Sequence, residues 1–247
     1  MQMAVVKNQK FQNFEKVRNL LKKTPPKKDS LVILPEMFAT GYLPSHCAQE
    51  AENFSNSQEP TVLFLQEISN QTQCHVLGGG IGKTDDGLVN HTGLYSPHSQ
   101  TGTEAAGYNK IHPFFPEQEY GFIAGQNPTV FQLNHWNIAP TICYDLRFPE
   151  LYKQISKLFY TKSNKQKLVT VQAAWPAIRN EDFETLLIQR ARENNTFIAA
   201  VNYTTPQPSN KENPEEIYMG NSMIVSPEGN VVAGQKKYEE IVIEAEI

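Results

Sequence analysis

The chain opens on a short apolar run, "MAVV", which predicts a first strand. The period then changes. In "FQNFEKVRNLLKK", Phe14, Val17 and Leu21 recur at the spacing that lines one face of a helix. "SLVILPEM" predicts a short buried strand that Pro35 stops. After a polar loop, Pro60 suits the first turn of a helix whose Phe64, Leu65 and Ile68 point inward. A strand-rich middle follows with "CHVLGGG", "VNHTGLYS", "TEAAGY", "TVFQL" and "NIAPTICY". Asn134, His135 and Trp136 lie where a hairpin would turn between the last two.

The second half continues in the same style. A helix is expected to start near Pro149, "KLVTVQAAW" reads as a strand and "EDFETLLIQRARENN" as a helix. "TFIAAVN" is a strand, and "NSMIVSPEGNVVAGQ" is a hairpin around Pro227, Glu228 and Gly229. The Pro- and Asn-rich "YTTPQPSNKENPEEIYMG" reads as a surface loop, and the closing "YEEIVIEAEI" as strand-like. No repeat and no linker divides the pattern. Crossover helices mixed with hairpins imply sheets covered by helices, so one α/β domain over residues 1–247 is expected.

Composition narrows the class. Of 247 residues, 39% are hydrophobic and 19% charged, which fits a soluble globular protein with a sizeable core. A net charge of −4 gives no electrostatic reason to expect nucleic acid or an anionic membrane. The lysine-rich "KKTPPKK" and "TKSNKQK" fall where the apolar period stops and read as solvated loops. No segment has the length of a transmembrane helix or the apolar core of a signal peptide. Cys47, Cys74 and Cys143 are odd in number and widely spaced, and fit neither a disulfide framework nor a zinc knuckle. The reducing cytoplasm is the expected setting.

Three polar residues each follow an apolar run: Glu36 after "LVILP", Lys110 after "EAAGYN" and Cys143 after "NIAPTI". Taken singly, each has an ordinary reading as a solvated glutamate, a turn lysine and a buried thiol. In layered α/β folds, however, strand ends converge on the crevice where sites form. A carboxylate, an ammonium and a thiol gathered there would divide a reaction between them. The carboxylate would take the thiol proton, and the ammonium would favour the thiolate and neutralise an oxyanion.

The surroundings of these residues carry a resemblance. From about Met3 onward the chain resembles the nitrilase, or carbon–nitrogen hydrolase, superfamily. "LPEMFATGY" is similar to the segment with that family's general-base glutamate, "YNKIHPF" to its lysine segment and "ICYDLRFPELY" to its nucleophile segment. "RARENNTFIAAVN" and "GNSMIVSPEGNVV" match two later structural stretches. The resemblance implies a four-layer α-β-β-α sandwich of the nitrilase type and a Glu36, Lys110, Cys143 triad. It also implies that the Tyr144 backbone N–H joins Lys110 in holding the oxyanion. A second glutamate is expected between the lysine and nucleophile segments. "HPFFPEQEYGFIAG" offers Glu117 and Glu119, and Glu117 is favoured because relatives place the active residue first. Asp145 and Arg147 are expected to pair and fix the turn. His112 reads as structural, with a Cys-His enzyme as the rival it would support.

The implied reaction is hydrolysis of a small carboxamide through a cysteine thioester, with no cofactor and no metal. The six histidines show no ligand spacing. "PEMFATGY" with "VQAAWPAIR" is most similar to the ω-amidase branch, which acts on 2-oxoglutaramate. Trp175 would then line the pocket, and Arg179 would either meet an anionic end of the substrate or lie on the surface. The alternatives are another short aliphatic amide, an N-carbamoyl amino acid, or a catalytically silent binding subunit. Family members commonly pair helices beside the nucleophile, so a homodimer through "PELYKQISKLFY" and "EDFETLLIQRARENN" is expected.

Overall fold

Phe14, Val17 and Leu21 form a buried stripe on helix α1, Lys10–Lys23. Each such side chain contributes about 1.5–3 kcal/mol by leaving water. The computed structural model describes residues 1–43, 46–99, 102–162, 165–206, 208, 213–234 and 236–247. Parts of two predicted surface loops, residues 163–164 and residues 207 and 209–212, lie outside that set. The chain divides into two compact units, Val5–Gln126 and a second made of Met1–Ala4 with Asn127–Ile247.

In Val5–Gln126, α1 is followed by strand β1 (Leu31–Ile33), a one-turn helix α2 (Cys47–Glu50) and helix α3 (Pro60–Thr72). Pro60 opens α3 as expected, and Phe64 stacks on Phe14 with ring centroids 4.1 Å apart. Strands β2 (His75–Lys83), β3 (Leu88–Tyr95) and β4 (Ala106–Asn109) complete a sheet of order β1-β2-β3-β4. β1 runs parallel to β2, and the remaining pairs are antiparallel. Glycine at position 79 is required by close approach, because a Cβ there would lie 2.1 Å from the His91 carbonyl oxygen. A short helix α4 (Phe115–Glu119) follows β4.

The second unit carries a six-stranded sheet of order β10-β9-β8-β7-β6-β5. Its strands are β5 (Phe131–Leu133), β6 (Trp136–Ile142), β7 (Gln166–Gln172), β8 (Phe197–Val201), β9 (Met223–Val225) and β10 (Val231–Gly234). The predicted hairpin joins β5 to β6, with Leu133 paired to Trp136 and Asn134 left-handed at φ 51°. β6, β7 and β8 are parallel, because helix α5 (Pro149–Lys162) and helix α6 (Asn180–Asn194) cross between them. Leu151, Tyr152, Ile155 and Phe159 bury one face of α5, and Phe183, Leu187 and Ala191 one face of α6. The β9–β10 hairpin turns through Pro227, Glu228 and Gly229, the last at φ 83°.

Two expected strands are absent. "MAVV" forms no ladder: Met3 makes a single bridge to Tyr203, and the Ala4 N–H donates to the Glu240 side chain (3.0 Å). Side chains satisfy backbone groups that a strand would have paired. The C-terminal "YEEIVIEAEI" contributes only the bridge from Ile241 to Gln2. Gln2 is fully buried. Its amide donates to the Lys236 and Glu239 carbonyls (2.9 and 2.8 Å), and its Oε1 accepts from the Ser222 N–H (2.9 Å).

Candidate active site

Local structure delivers three charged side chains to one interior spot of Val5–Gln126. The Leu34 N–H still reaches the Leu77 carbonyl (2.9 Å), and then Pro35, lacking an N–H, ends the pairing. Glu36 follows. Met37 takes a left-handed φ of 43° and begins a turn closed by bonds from Thr40 and Gly41 to its carbonyl. Lys110 is the first residue past β4. Its N–H donates to the Asn90 carbonyl (2.9 Å), which extends the ladder to β3 and sets the two residues side by side. Glu117 is the third residue of α4. Its carboxylate reaches back to the Phe114 N–H (2.5 Å), as in a helix capping box.

The result is an ammonium between two carboxylates. Lys110 Nζ donates to Glu36 Oε1 at 3.0 Å and to Glu117 Oε2 at 2.8 Å. Asn90 Nδ2 donates to Glu36 Oε1 at 2.7 Å and to Glu117 Oε1 at 2.6 Å. All four residues are at most 2% exposed. Buried charges of this kind persist only when paired and hydrogen-bonded, and removing one partner typically costs about 3–5 kcal/mol. Glu119, the other candidate, is exposed, because two residues on from Glu117 it faces the opposite side of the short helix. His112 is half-buried two residues past Lys110. Asn90 was not among the residues singled out from sequence: one polar residue in an alternating strand gives no signal of its own.

Cys47 lies in the same unit and is a contrast. Burial pushes its thiol up to about 11, and the negative charge of Glu117 adds to the effect. Cys74 is buried with its sulfur near the Lys27 and Thr72 carbonyls.

In the second unit Cys143 follows β6 directly and begins a 3-10 turn, Cys143–Arg147. Its φ is 48°, a region few non-glycine residues occupy, at a cost of about 1–3 kcal/mol. The turn is braced. Asp145 is buried and its Oδ2 accepts the Ile142 N–H (3.0 Å), while Arg190 from α6 donates Nε–H to the Leu146 carbonyl (3.2 Å). Cys143 itself is half-exposed. Tyr144 is likewise half-buried, with its ring edge-on to Phe148.

The expected Asp145–Arg147 pair takes another form. Arg147 is a third exposed, donates to Asp182 (2.8 Å) and lies 4.9 Å over the Trp175 ring. Trp175 is buried, donates its indole N–H to the Arg179 carbonyl (2.8 Å) and packs on Phe183. The Arg179 guanidinium makes a two-pronged pair with Glu215, at 2.5 and 2.8 Å. Among the described residues no cluster of three or more His, Cys, Asp or Glu could hold a metal ion, and no helix is long and apolar enough to cross a membrane.

Comparison with known proteins places these features in a family. The model of the carbon–nitrogen hydrolase family matches residues 1–247. The Escherichia coli (strain K12) protein named omega-amidase YafV is 28% identical over 218 residues, 88% of this chain and 77% of its own. The 2-oxoglutaramate amidase of Bacillus subtilis (strain 168) is 30% identical over 237 residues, 96% of this chain and 84% of its own. Among solved structures, XC1258 from Xanthomonas campestris is described as a CN-hydrolase superfamily protein with an arsenic adduct in its active site. It aligns with a TM-score of 0.81 at 26% identity, covering 98% of this chain and 87% of that one. Two sheets with their helices, matched in fold over nearly the whole length and in sequence from end to end, establish that this chain belongs to the carbon–nitrogen hydrolase family and hydrolyses C–N bonds.

Proposed function

We propose that the chain is an ω-amidase, releasing ammonia from the terminal carboxamide of a small acid such as 2-oxoglutaramate. The observation that carries the amidase reading is the lysine held between two buried carboxylates, Glu36 and Glu117. The substrate class draws on the relatives named omega-amidase and 2-oxoglutaramate amidase. In this reading Cys143 and the Glu36, Lys110, Glu117 cluster act on one substrate. Glu36 takes the Cys143 proton, and the sulfur bonds to the amide carbon. Lys110 and the Tyr144 N–H hold the oxyanion. The C–N bond then breaks, and nitrogen leaves as ammonia with the proton Glu36 had taken. Water next gives a proton to Glu36 and attacks the thioester. The carboxylic acid departs and the thiol is restored. Glu117 holds Lys110 in place.

Trp175 and Arg179 serve the substrate's far end. Arg179 presents a fork already matched to a carboxylate, since it binds Glu215 through two nitrogens, and a substrate carboxylate would take Glu215's place. The enzyme works in the reducing cytoplasm, where a thiol nucleophile stays reduced, and as a homodimer paired through α5 and α6. Another short amide or an N-carbamoyl amino acid is the competing substrate class.

The test is ammonia release from a panel holding 2-oxoglutaramate, other ω-amides, simple aliphatic amides and N-carbamoyl amino acids. The highest kcat/KM is expected for an ω-amide, and Cys143→Ala should lower it by at least roughly a thousandfold while the fold is kept. A folded wild-type protein that releases no ammonia from any ω-amide overturns the reading.

A further inference from the structure

We infer that Asn90 is a positioning residue for the reaction, one that fixes both glutamates. The inference rests on the amidase reading above. Asn90 sits in mid-strand on β3, opposite Ile81, and is 2% exposed. The strand ladder needs only its backbone. Its side-chain amide sends one N–H to Glu36 Oε1 (2.7 Å) and the other to Glu117 Oε1 (2.6 Å), both in the range of charge-assisted bonds. An ionised carboxylate only accepts, so the amide cannot turn over without aiming its carbonyl at two carboxylates. Its Oδ1 is buried without a hydrogen-bond partner among the described residues. The two N–H bonds must outweigh that cost, which marks the donors as the reason for an asparagine here.

Glu117 receives donors on both oxygens: Asn90 on Oε1, and Lys110 and the Phe114 N–H on Oε2. Glu36 receives Asn90 and Lys110 on Oε1. Asn90 and Lys110 thus each join the two carboxylates, and removing Asn90 takes one of these two links away.

The test uses the full chain with Asn90→Ala, Asn90→Ser and Asn90→Asp, each checked for fold by circular dichroism. On the best amide, Asn90→Ala should lower kcat roughly tenfold to a hundredfold with KM changed less than about threefold, the loss expected for charge-assisted donors. Asn90→Ser, which keeps one donor, should fall between Asn90→Ala and wild type. Asn90→Asp keeps the volume but has no N–H, and should be the least active. A volume-filling role would instead leave Asn90→Asp nearest to wild type. Independently of turnover, the 13C carboxyl signals of glutamate-labelled protein at about pH 7, assigned with Glu36→Gln and Glu117→Gln, should move in Asn90→Ala, because both carboxylates lose a donor. Unmoved signals, with kcat within twofold of wild type, overturn the inference. If wild type hydrolyses no amide, the amidase reading fails, and the carboxyl signals alone decide whether Asn90 holds the two carboxylates.

Discussion

Of the three cysteines, Cys143 alone combines partial exposure with a left-handed backbone, while Cys47 and Cys74 are buried. The difference can be read without a substrate. With a thiol near 11, Cys47 keeps only about a thousandth of its population as thiolate at pH 8. A limiting amount of iodoacetamide at pH 8 should therefore label Cys143 first, as followed by peptide mass spectrometry. Equal labelling of Cys47 would contradict the assignment of the nucleophile. At this scale the sequence was informative where a reactive residue type interrupts an apolar run: Lys110 and Cys143 each follow a strand directly, and Glu36 comes three residues after one. It was silent on Asn90, whose role depends on which two carboxylates lie beside it. The choice between Glu117 and Glu119 turns on a five-residue helix that periodicity cannot detect.

Elements defined by a sustained period are those the sequence makes legible. The stripes of α1 and α3, the hairpins and the parallel strands β6 to β8 fall where the pattern puts them, with ends displaced by one to three residues. The two terminal runs were misread because a strand needs a neighbouring ladder, and side chains of Glu240 and Asn13 take the N–H groups of Ala4 and Val6 instead. His75, the first residue of β2, adds a measurable property to its element. Burial lowers its pKa, Asp29 opposes this in part, and Nδ1 lies 2.9 Å from Ser96 Oγ. The folded state thus favours the neutral ring. Its contribution is complete above the unfolded value of about 6.5 and is lost as pH falls below it, because the unfolded chain then binds the proton more readily. Urea unfolding at pH 7 and pH 5.5 should show stability falling with acidification, and His75→Gln should make that fall smaller. Equal falls in the two proteins would remove His75 as a contributor.

For the whole molecule, α5 and α6 offer their outer faces, and Tyr160 on α5 is 67% exposed. A homodimer through these helices predicts a light-scattering mass of twice 27.9 kDa at micromolar concentration. A mass of 27.9 kDa would argue against it. A further consequence follows from the way Gln2 is held. Its partners are Ser222, Lys236, Glu239 and Ile241, so the unit it belongs to is closed by residues that lie far apart in sequence. The stretch Val5–Gln126, by contrast, is continuous. On the ribosome, the segment around Gln2 is made 220 residues before Ser222 and waits for that partner. A product truncated before Ser222 therefore leaves the segment around Gln2 unmoored, an accessible handle for the proteases that clear unfinished chains.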